Sequence, residues 1–236
     1  YKKEFSEKTN FTFSFFGLEA KRNSLGFRTN RVSQVDSGQE RDLIKGDFSN
    51  FGIESRLLTR YKAFKNKSYF LIGLKYYNSN SSSIQGPGSN GSDANFNFQN
   101  SLYPNYNNQS DYTYPNKNIA LFGENIFYLT ENFSITPGFR YENIETKSDG
   151  FYRKINLDGA GNVIFNEKYD ELDVKKRNFL LLGLGISYKP NRNIEIYTNI
   201  SENYRSVTFA DISIINPAYA VNPNIDDEKG YTFDLG

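Results

Sequence analysis

The sequence predicts an all-β protein, part of an antiparallel transmembrane β-barrel. Three observations predict it. Apolar and polar residues alternate with period two over runs of about ten residues, the length of a strand that crosses a bilayer. Connections alternate between a few residues and twenty or more, as in outer-membrane barrels. Aromatic residues make up 17% of the chain while only 37% is hydrophobic, which fits Tyr/Phe-rich strands joined by polar Asn/Gly/Ser segments.

The pattern is clearest over Asn116 to Glu145, which reads as one long hairpin turning at Thr130-Glu131-Asn132. In its second run Phe133, Ile135, Phe139 and Tyr141 point one way, and Ser134, Thr136, Gly138, Arg140 and Glu142 the other. In its first run Glu124 and Asn125 are adjacent, so alternation does not assign the faces of 119–129.

The remaining elements follow in order. Residues 1–9 are charged and read as a strand end or turn, and Asn10 to Ala20 as the first strand, with Phe11, Phe13 and Phe15 on one face. A polar connection over 21–49 leads to a strand over Asn50 to Lys62, where Phe51, Ile53 and Leu57 oppose Glu54, Arg56 and Arg60. A turn at Asn66-Lys67 precedes a strand over Tyr69 to Asn78. After the long connection 79–115 and the hairpin, residues 145–176 form a second long connection. Within it, Asn156-Leu157-Asp158-Gly159 predicts a small hairpin outside the main sheet. Two more strands, Asn178 to Lys189 and Ile194 to Tyr204, meet at a turn over 190–193. A third polar segment, 205–229, precedes a strand begun at Gly230. That makes about eight strands, with no charge on the apolar face of those whose faces can be assigned.

Composition excludes several functions. Net charge is +1, from 28 Lys+Arg against 27 Asp+Glu, which makes no electrostatic case for nucleic acid. With neither Cys nor His there are no disulfides, thiolate metal sites or Ser-His and Cys-His catalytic pairs. No catalytic residue, metal site or cofactor is expected. No apolar run reaches the roughly 18 residues of a membrane helix. The chain starts at Tyr1 without a Met and stops at Asp234-Leu235-Gly236 in mid-pattern, so an internal fragment is expected.

Half-apolar strands also occur in soluble sandwiches. Long connections confined to one end favour the membrane barrel, as does charge kept off the apolar face, because a lipid-facing Arg or Lys near the midplane costs about 2–4 kcal/mol. Tyr61, Tyr69, Tyr76, Tyr128, Tyr141, Tyr188 and Tyr204 lie towards strand ends, where an aromatic girdle belongs. Short turns would then be periplasmic and long loops extracellular.

Three segments resemble one family. Asn222-Pro223-Asn224-Ile225-Asp226-Asp227-Glu228, followed by Tyr231-Thr232-Phe233-Asp234-Leu235-Gly236, is similar to the Asn-Pro-x-Leu-x-Pro-Glu segment and following strand of TonB-dependent outer-membrane receptors. Asp227 stands where that pattern has Pro. Tyr197-Thr198-Asn199-Ile200-Ser201-Glu202-Asn203-Tyr204-Arg205 is similar to the family's Tyr-x-x-x-Ser-x-x-Tyr-Arg strand. Phe122-Gly123-Glu124-Asn125 and Thr136-Pro137-Gly138-Phe139-Arg140-Tyr141-Glu142 resemble its barrel hairpins. With Phe209-Ala210-Asp211-Ile212, the chain looks most like the ferric-citrate receptor branch of Bacteroidetes-type bacteria.

The resemblance implies that residues 1–236 belong to a plugged barrel of about 22 strands in the outer membrane of a Gram-negative bacterium. The plug and the barrel's C-terminus would lie outside this chain. The implied activity is uptake of a ferric chelate, energised by the TonB complex of the inner membrane through the plug, with outer-membrane lipid as the surrounding partner. An oligosaccharide or corrinoid is the alternative cargo, with Tyr103, Tyr106, Tyr112 and Tyr114 as stacking residues. A soluble cell-surface β protein is the remaining alternative.

For an anionic chelate, cationic donors are needed, and Arg56, Arg60, Arg140 and Arg205 are the candidates. Glu54, Glu124 and Glu142 are expected to face the lumen. Arg140 and Glu142 read either as the lining of a substrate path or as a structural charge ladder that also grips a plug. Asp226, Asp227 and Glu228 read as a solvated turn. Gln85 to Ser92 is glycine-rich without the Lys-Ser/Thr of a P-loop and reads as a flexible loop.

Overall fold

The computed structural model describes residues 1–27, 32–36, 38–90, 95–206 and 226–236. Nine strands form one antiparallel sheet in strict chain order. They are β1 (Lys2–Ser6), β2 (Thr9–Gly26), β3 (Asp42–Ala63), β4 (Asn66–Pro87), β5 (Gln109–Tyr128), β6 (Phe133–Leu157), β7 (Val163–Asn191), β8 (Ile194–Arg205) and β9 (Glu228–Leu235). The sheet is a meander whose edges are β1 and β9, so it does not close on itself. The expected all-β antiparallel architecture is present, with one strand more than counted from sequence. Residues 2–6 are a strand because Lys2 to Glu4 pair with Asn10 to Thr12.

Among the described residues of the expected long connections, more than half are also strand, most of all over 145–176. β6 and β7 pair from Phe133↔Tyr188 to Leu157↔Val163, leaving only residues 158–162 as a turn. The small hairpin expected at 156–159 is therefore the tip of the main sheet. Asp158 Oδ1 closes that tip by accepting the Ala160 and Asn162 N–H groups at 2.9 and 2.8 Å. Polar sequence did not look like strand because these extensions have no apolar stripe. Ladder hydrogen bonds and cross-strand polar pairs hold them, including Lys176–Glu145 at 3.3 Å and Lys21–Asp47 at 3.6 Å.

The short turns are tight. Ala63 pairs with Asn66, so the turn is Phe64-Lys65 and not Asn66-Lys67. Both residues are left-handed, with φ of 49° and 67°, the conformation a two-residue hairpin needs. Asn66 Nδ2 donates to the Leu129 carbonyl at 3.1 Å and ties this turn to the next.

Register sorts every strand into two faces. The apolar face carries a belt nearest the short turns: Phe15, Ile53, Leu74, Leu121, Tyr141, Leu182, Ile200 and Phe233 all lie on it and all are exposed. Phe15 is 69% and Phe233 63% exposed. Among the described residues Leu43, Pro87, Ala120 and Ile155 are the buried apolar side chains and none belongs to the belt, so no second layer covers it.

Register also assigns the strand that alternation left open. Glu124 pairs with Leu71 and Gly138 on the polar face, while Asn125 lies on the apolar face and accepts the Tyr61 hydroxyl at 2.8 Å. One expectation fails: Glu202, paired with Tyr231, falls on the apolar side of β8. Its Oε2 accepts the Leu182 N–H at 2.7 Å, where the β7–β8 ladder ends.

Candidate functional site

The polar face is organised in cross-strand rows. One row runs Thr12, Arg56, Gly73, Phe122, Arg140 and Leu181 from β2 to β7. Gly73 leaves a gap that the Phe122 ring fills; a Cβ there would lie 2.3 Å from its Cζ. The ring lies between two guanidiniums, Arg56 at 5.8 Å and Arg140 at 5.4 Å from its centroid. The next row holds Glu54, Lys75, Ala120, Glu142 and Phe179. Glu54 holds Arg56 at 2.6 Å, and Glu142 holds Arg140. Both pairs are two residues apart on one strand, so they share a face by period two. Glu142 is 7% exposed and its Oε2 has no hydrogen-bond partner. Phe16 repeats the ring-on-glycine device over Gly52, with the Lys75 ammonium 5.4 Å from its centroid.

Towards the long-hairpin end the same face becomes aromatic. Tyr112 leans across Gly150 and donates its hydroxyl to Glu171 Oε2 at 2.7 Å, so one side chain spans three strands. Tyr114 lies parallel to it, with centroids 5.9 Å apart. Tyr152 and Tyr169, a cross-strand pair, stack at 5.3 Å, and the Lys154 ammonium lies near both rings. Burial, then the Glu171 carboxylate, pushes the Tyr112 hydroxyl above the ordinary tyrosine range; burial does the same to Tyr114. Tyr169 is raised by its hydrogen bond to Glu167 and then by burial.

A third cluster sits where β7, β8 and β9 meet. Arg177 is 8% exposed. Its Nε donates to Asp227 Oδ2 at 2.8 Å and its Nη1 to Thr146 Oγ1 at 2.9 Å. The Tyr204 hydroxyl donates to the same Asp227 oxygen at 2.5 Å.

Of the four arginines expected to grip a ligand, Arg56, Arg60 and Arg140 lie on the polar face and Arg205 on the β8–β9 ribbon beyond it, and the structure gives each a protein partner. Arg56 and Arg140 are held by Glu54 and Glu142, Arg205 pairs with Glu228 at 2.8 Å, and Arg60 donates to the Glu7 carbonyl at 3.1 Å. Glu54, Glu124 and Glu142 share that face. Asp227 is no solvated turn residue, because it holds Arg177 and Tyr204. Of the loop tyrosines, Tyr106 donates to Asp42 at 2.9 Å away from the Tyr112–Tyr114 pair. Phe122, Lys75, Arg177, Tyr152 and Tyr169 were missed from sequence. Register, not alternation, brings them beside the named residues. The motif residues 209–212 and 222–225 lie outside the described residues.

Chemically, the arrangement offers ring faces, cations and carboxylates, which suits binding. Among the described residues no group of three or more metal-ligating side chains occurs.

Comparison with known proteins is consistent across the whole chain. The family model described as TonB dependent receptor-like, beta-barrel matches residues 1–236. Among curated proteins no sequence matches. Among solved structures, the ferric citrate transporter FecA in its unliganded form superposes with a TM-score of 0.64 at 15% identity, covering 99% of this chain and 30% of that one. The ferric yersiniabactin uptake receptor FyuA from Yersinia pestis superposes with 0.62 at 14% identity, over 98% and 31%. The siderophore receptor PiuA from Acinetobacter baumannii gives 0.62 at 13% identity, over 100% and 36%. The chain thus spans about a third of the length of the solved receptors it matches.

Proposed function

The chain belongs to the TonB-dependent receptor β-barrel family, and on that premise we propose that it forms part of the wall of an outer-membrane receptor taking up a ferric chelate. The two-faced sheet carries this reading. Its exposed apolar belt is matched to lipid, and its polar face, with Arg56, Phe122 and Arg140 in one row, is matched to a lumen. Short turns such as Phe64-Lys65 face the periplasm and the long hairpins face outward. The ferric-citrate branch of Bacteroidetes-type receptors is the assignment we favour, because the family-like segments combined with Phe209-Ala210-Asp211-Ile212 resemble it.

In this reading the sheet is an internal slice of a barrel of about 22 strands with a plugged lumen. The plug lies elsewhere in the protein and couples to the TonB complex of a Gram-negative inner membrane. The protein is a receptor and not an enzyme. The outer long-hairpin surface captures the ligand, and energy from the inner membrane rearranges the plug. Arg56, Arg140 and Arg205 contribute as ring-bound or carboxylate-held cations, and Arg60 as one held by the Glu7 carbonyl. Glu142, with one buried oxygen unmatched on this sheet, is suited to grip a plug-borne donor.

The test is uptake of labelled iron under iron limitation. Deletion of the gene should abolish uptake of ferric citrate or of another ferric chelate. Unchanged uptake of every ferric chelate supplied would sink the reading. A second reading, uptake of an oligosaccharide or corrinoid, draws on the parallel Tyr152–Tyr169 pair, since flat rings stack on sugars. Calorimetric titration of the purified receptor with glycans, a corrinoid and ferric citrate separates the two.

A further inference from the structure

The upper end of β8 departs from the plane of the sheet. The β7–β8 ladder ends at Gly183↔Ser201, although β7 continues back to Val163. Beyond that point β8 pairs only with β9, from Glu202↔Tyr231 to Arg205↔Glu228. The next ladder contact of β7 is made by a side chain: Glu202 Oε2 takes the Leu182 N–H. A two-stranded ribbon therefore leaves the sheet at a defined place.

Parity shows where it goes. Tyr204 pairs with Lys229, so by period two it shares the ribbon side of Ile200 and Glu202, and Asp227 lies just before β9. Arg177 pairs with Ile144, and Phe179 with Glu142, on the polar side of β7. A flat sheet would keep Tyr204 and Phe179 on opposite faces. Instead the Tyr204 ring stacks on Phe179, centroids 3.9 Å apart, and Asp227 meets Arg177 at 2.8 Å. The ribbon is therefore turned relative to β7 at this end, so that Tyr204 meets the polar side of β7, while Tyr231, paired with Glu202, stays 72% exposed.

Arg177 is the bridge that holds it there. Its Nε takes Asp227 of the ribbon while its Nη1 takes Thr146 of β6. A guanidinium does this because its donors diverge in one rigid plane; an ammonium is a single point charge and lacks that fork. Arg177 is 8% exposed and the Asp227 side chain 23%, so water screens the pair only in part. Phe179 and Glu142 share a row, and Glu142 holds Arg140. The clasped end of the ribbon therefore sits beside the Arg140–Glu142 part of the polar face.

We propose that the Arg177–Asp227 clasp, with Tyr204 stacked on Phe179, fixes the upper end of the β8–β9 ribbon against the polar side of β7 and makes Arg177 a positioning residue for ligand access to the Arg140–Glu142 region. The access role rests on the receptor reading above; the clasp itself does not.

The experiment uses the intact receptor in its outer membrane. This chain has no cysteine, so Phe179→Cys with Tyr204→Cys gives one possible bond within it. Mild oxidation should cross-link the pair, and Arg177→Ala should lower the yield by about tenfold or more, since removing one partner of a buried pair strands the other. Asp227→Asn, nearly isosteric, should lower it in the same direction, and Arg177→Lys should restore it only in part. In otherwise unaltered receptor, Arg177→Ala and Asp227→Asn should each shift the apparent KM for ferric citrate uptake by about threefold or more, with the maximal rate within twofold. Heat-modifiable mobility confirms that each variant is folded.

Cross-linking that is unaffected by both Arg177→Ala and Asp227→Asn, or absent from the folded parent pair, overturns the clasp. Efficient cross-linking with unchanged KM in both single variants overturns the access role. Cross-linking is read without ligand, so its failure leaves the chelate reading standing. Loss of that reading would show instead as iron uptake indifferent to the gene.

Discussion

Substituting Gly73 by alanine tests whether the ring-on-glycine row is a built feature of the wall. The new Cβ would lie 2.3, 2.6 and 3.0 Å from Phe122 Cζ, Cε2 and Cε1, where ordinary contact begins near 3.4 Å. The ring must withdraw by roughly 1 Å or swing away, and overpacking of that size costs about 1–3 kcal/mol. If it swings away it loses two guanidinium contacts, each worth about 0.5–1 kcal/mol at an exposed site. Loss of glycine's freedom in the unfolded chain returns about 0.4–1 kcal/mol. The expected net destabilisation is about 1–2 kcal/mol. Urea unfolding of the intact receptor in detergent micelles, followed by far-UV circular dichroism and by heat-modifiable mobility, measures it. The decisive comparison is a cycle with Phe122→Leu: on that background Gly73→Ala should cost less than about 0.5 kcal/mol, because no ring end remains to displace. A Gly73→Ala variant as stable as the parent, or one whose cost is unchanged by Phe122→Leu, refutes the reasoning.

Further expectations rest on other places in the fold. Gly150→Ala should cost more than Gly73→Ala, about 2–3 kcal/mol, because its Cβ would meet backbone, at 2.1 Å from the Asp111 carbonyl oxygen; the same unfolding measurement checks it, and Tyr112→Leu should not rescue it. Lys65→Gly should stabilise by about 0.5–1 kcal/mol, since glycine removes the strain of φ at 67°; a lower unfolding midpoint would contradict this. The Tyr112 hydroxyl is held above its ordinary value of 10.0 by burial and by Glu171. A raised folded value means the stabilisation is fully present below the pH at which unfolded tyrosine ionises, and is lost as pH rises from there towards the folded value. Ultraviolet titration of tyrosinate, parent minus Tyr112→Phe, should therefore show no ionisation of this group by about pH 11; a normal titration near 10 would refute it.

Much of this fold was legible because a strand with one apolar face states its phase in its own residues. Phe133 to Glu142 declare both faces, and Ile194 to Ser201 do the same. The polar extensions were not legible, since Asn78 to Ser83 and Lys147 to Lys176 have no apolar stripe and read as loop. Only pairing makes them strand. The tight turn at Phe64-Lys65 was misplaced by two residues for a related reason: nothing in a Phe-Lys pair advertises left-handed backbone, and the hairpin imposes it.

The candidate site divides along the same line. Which residues share the polar face was decided locally, because period two puts Glu54 with Arg56 and Arg140 with Glu142 on any strand. Which strands lie beside one another, and at what register, is a property of the ladder. Register alone set Phe122 between Arg56 and Arg140 and Tyr152 against Tyr169. It also placed Asp227, in sequence one acid among three, on a guanidinium fifty residues away. The sequence by itself determined a two-faced antiparallel sheet, because alternation and connection length are written in single strands, and the receptor family entered only through the resemblance of its motifs. Tertiary structure decided how its cations are held and where the β8–β9 ribbon lies, because those depend on distances between strands that no single strand contains.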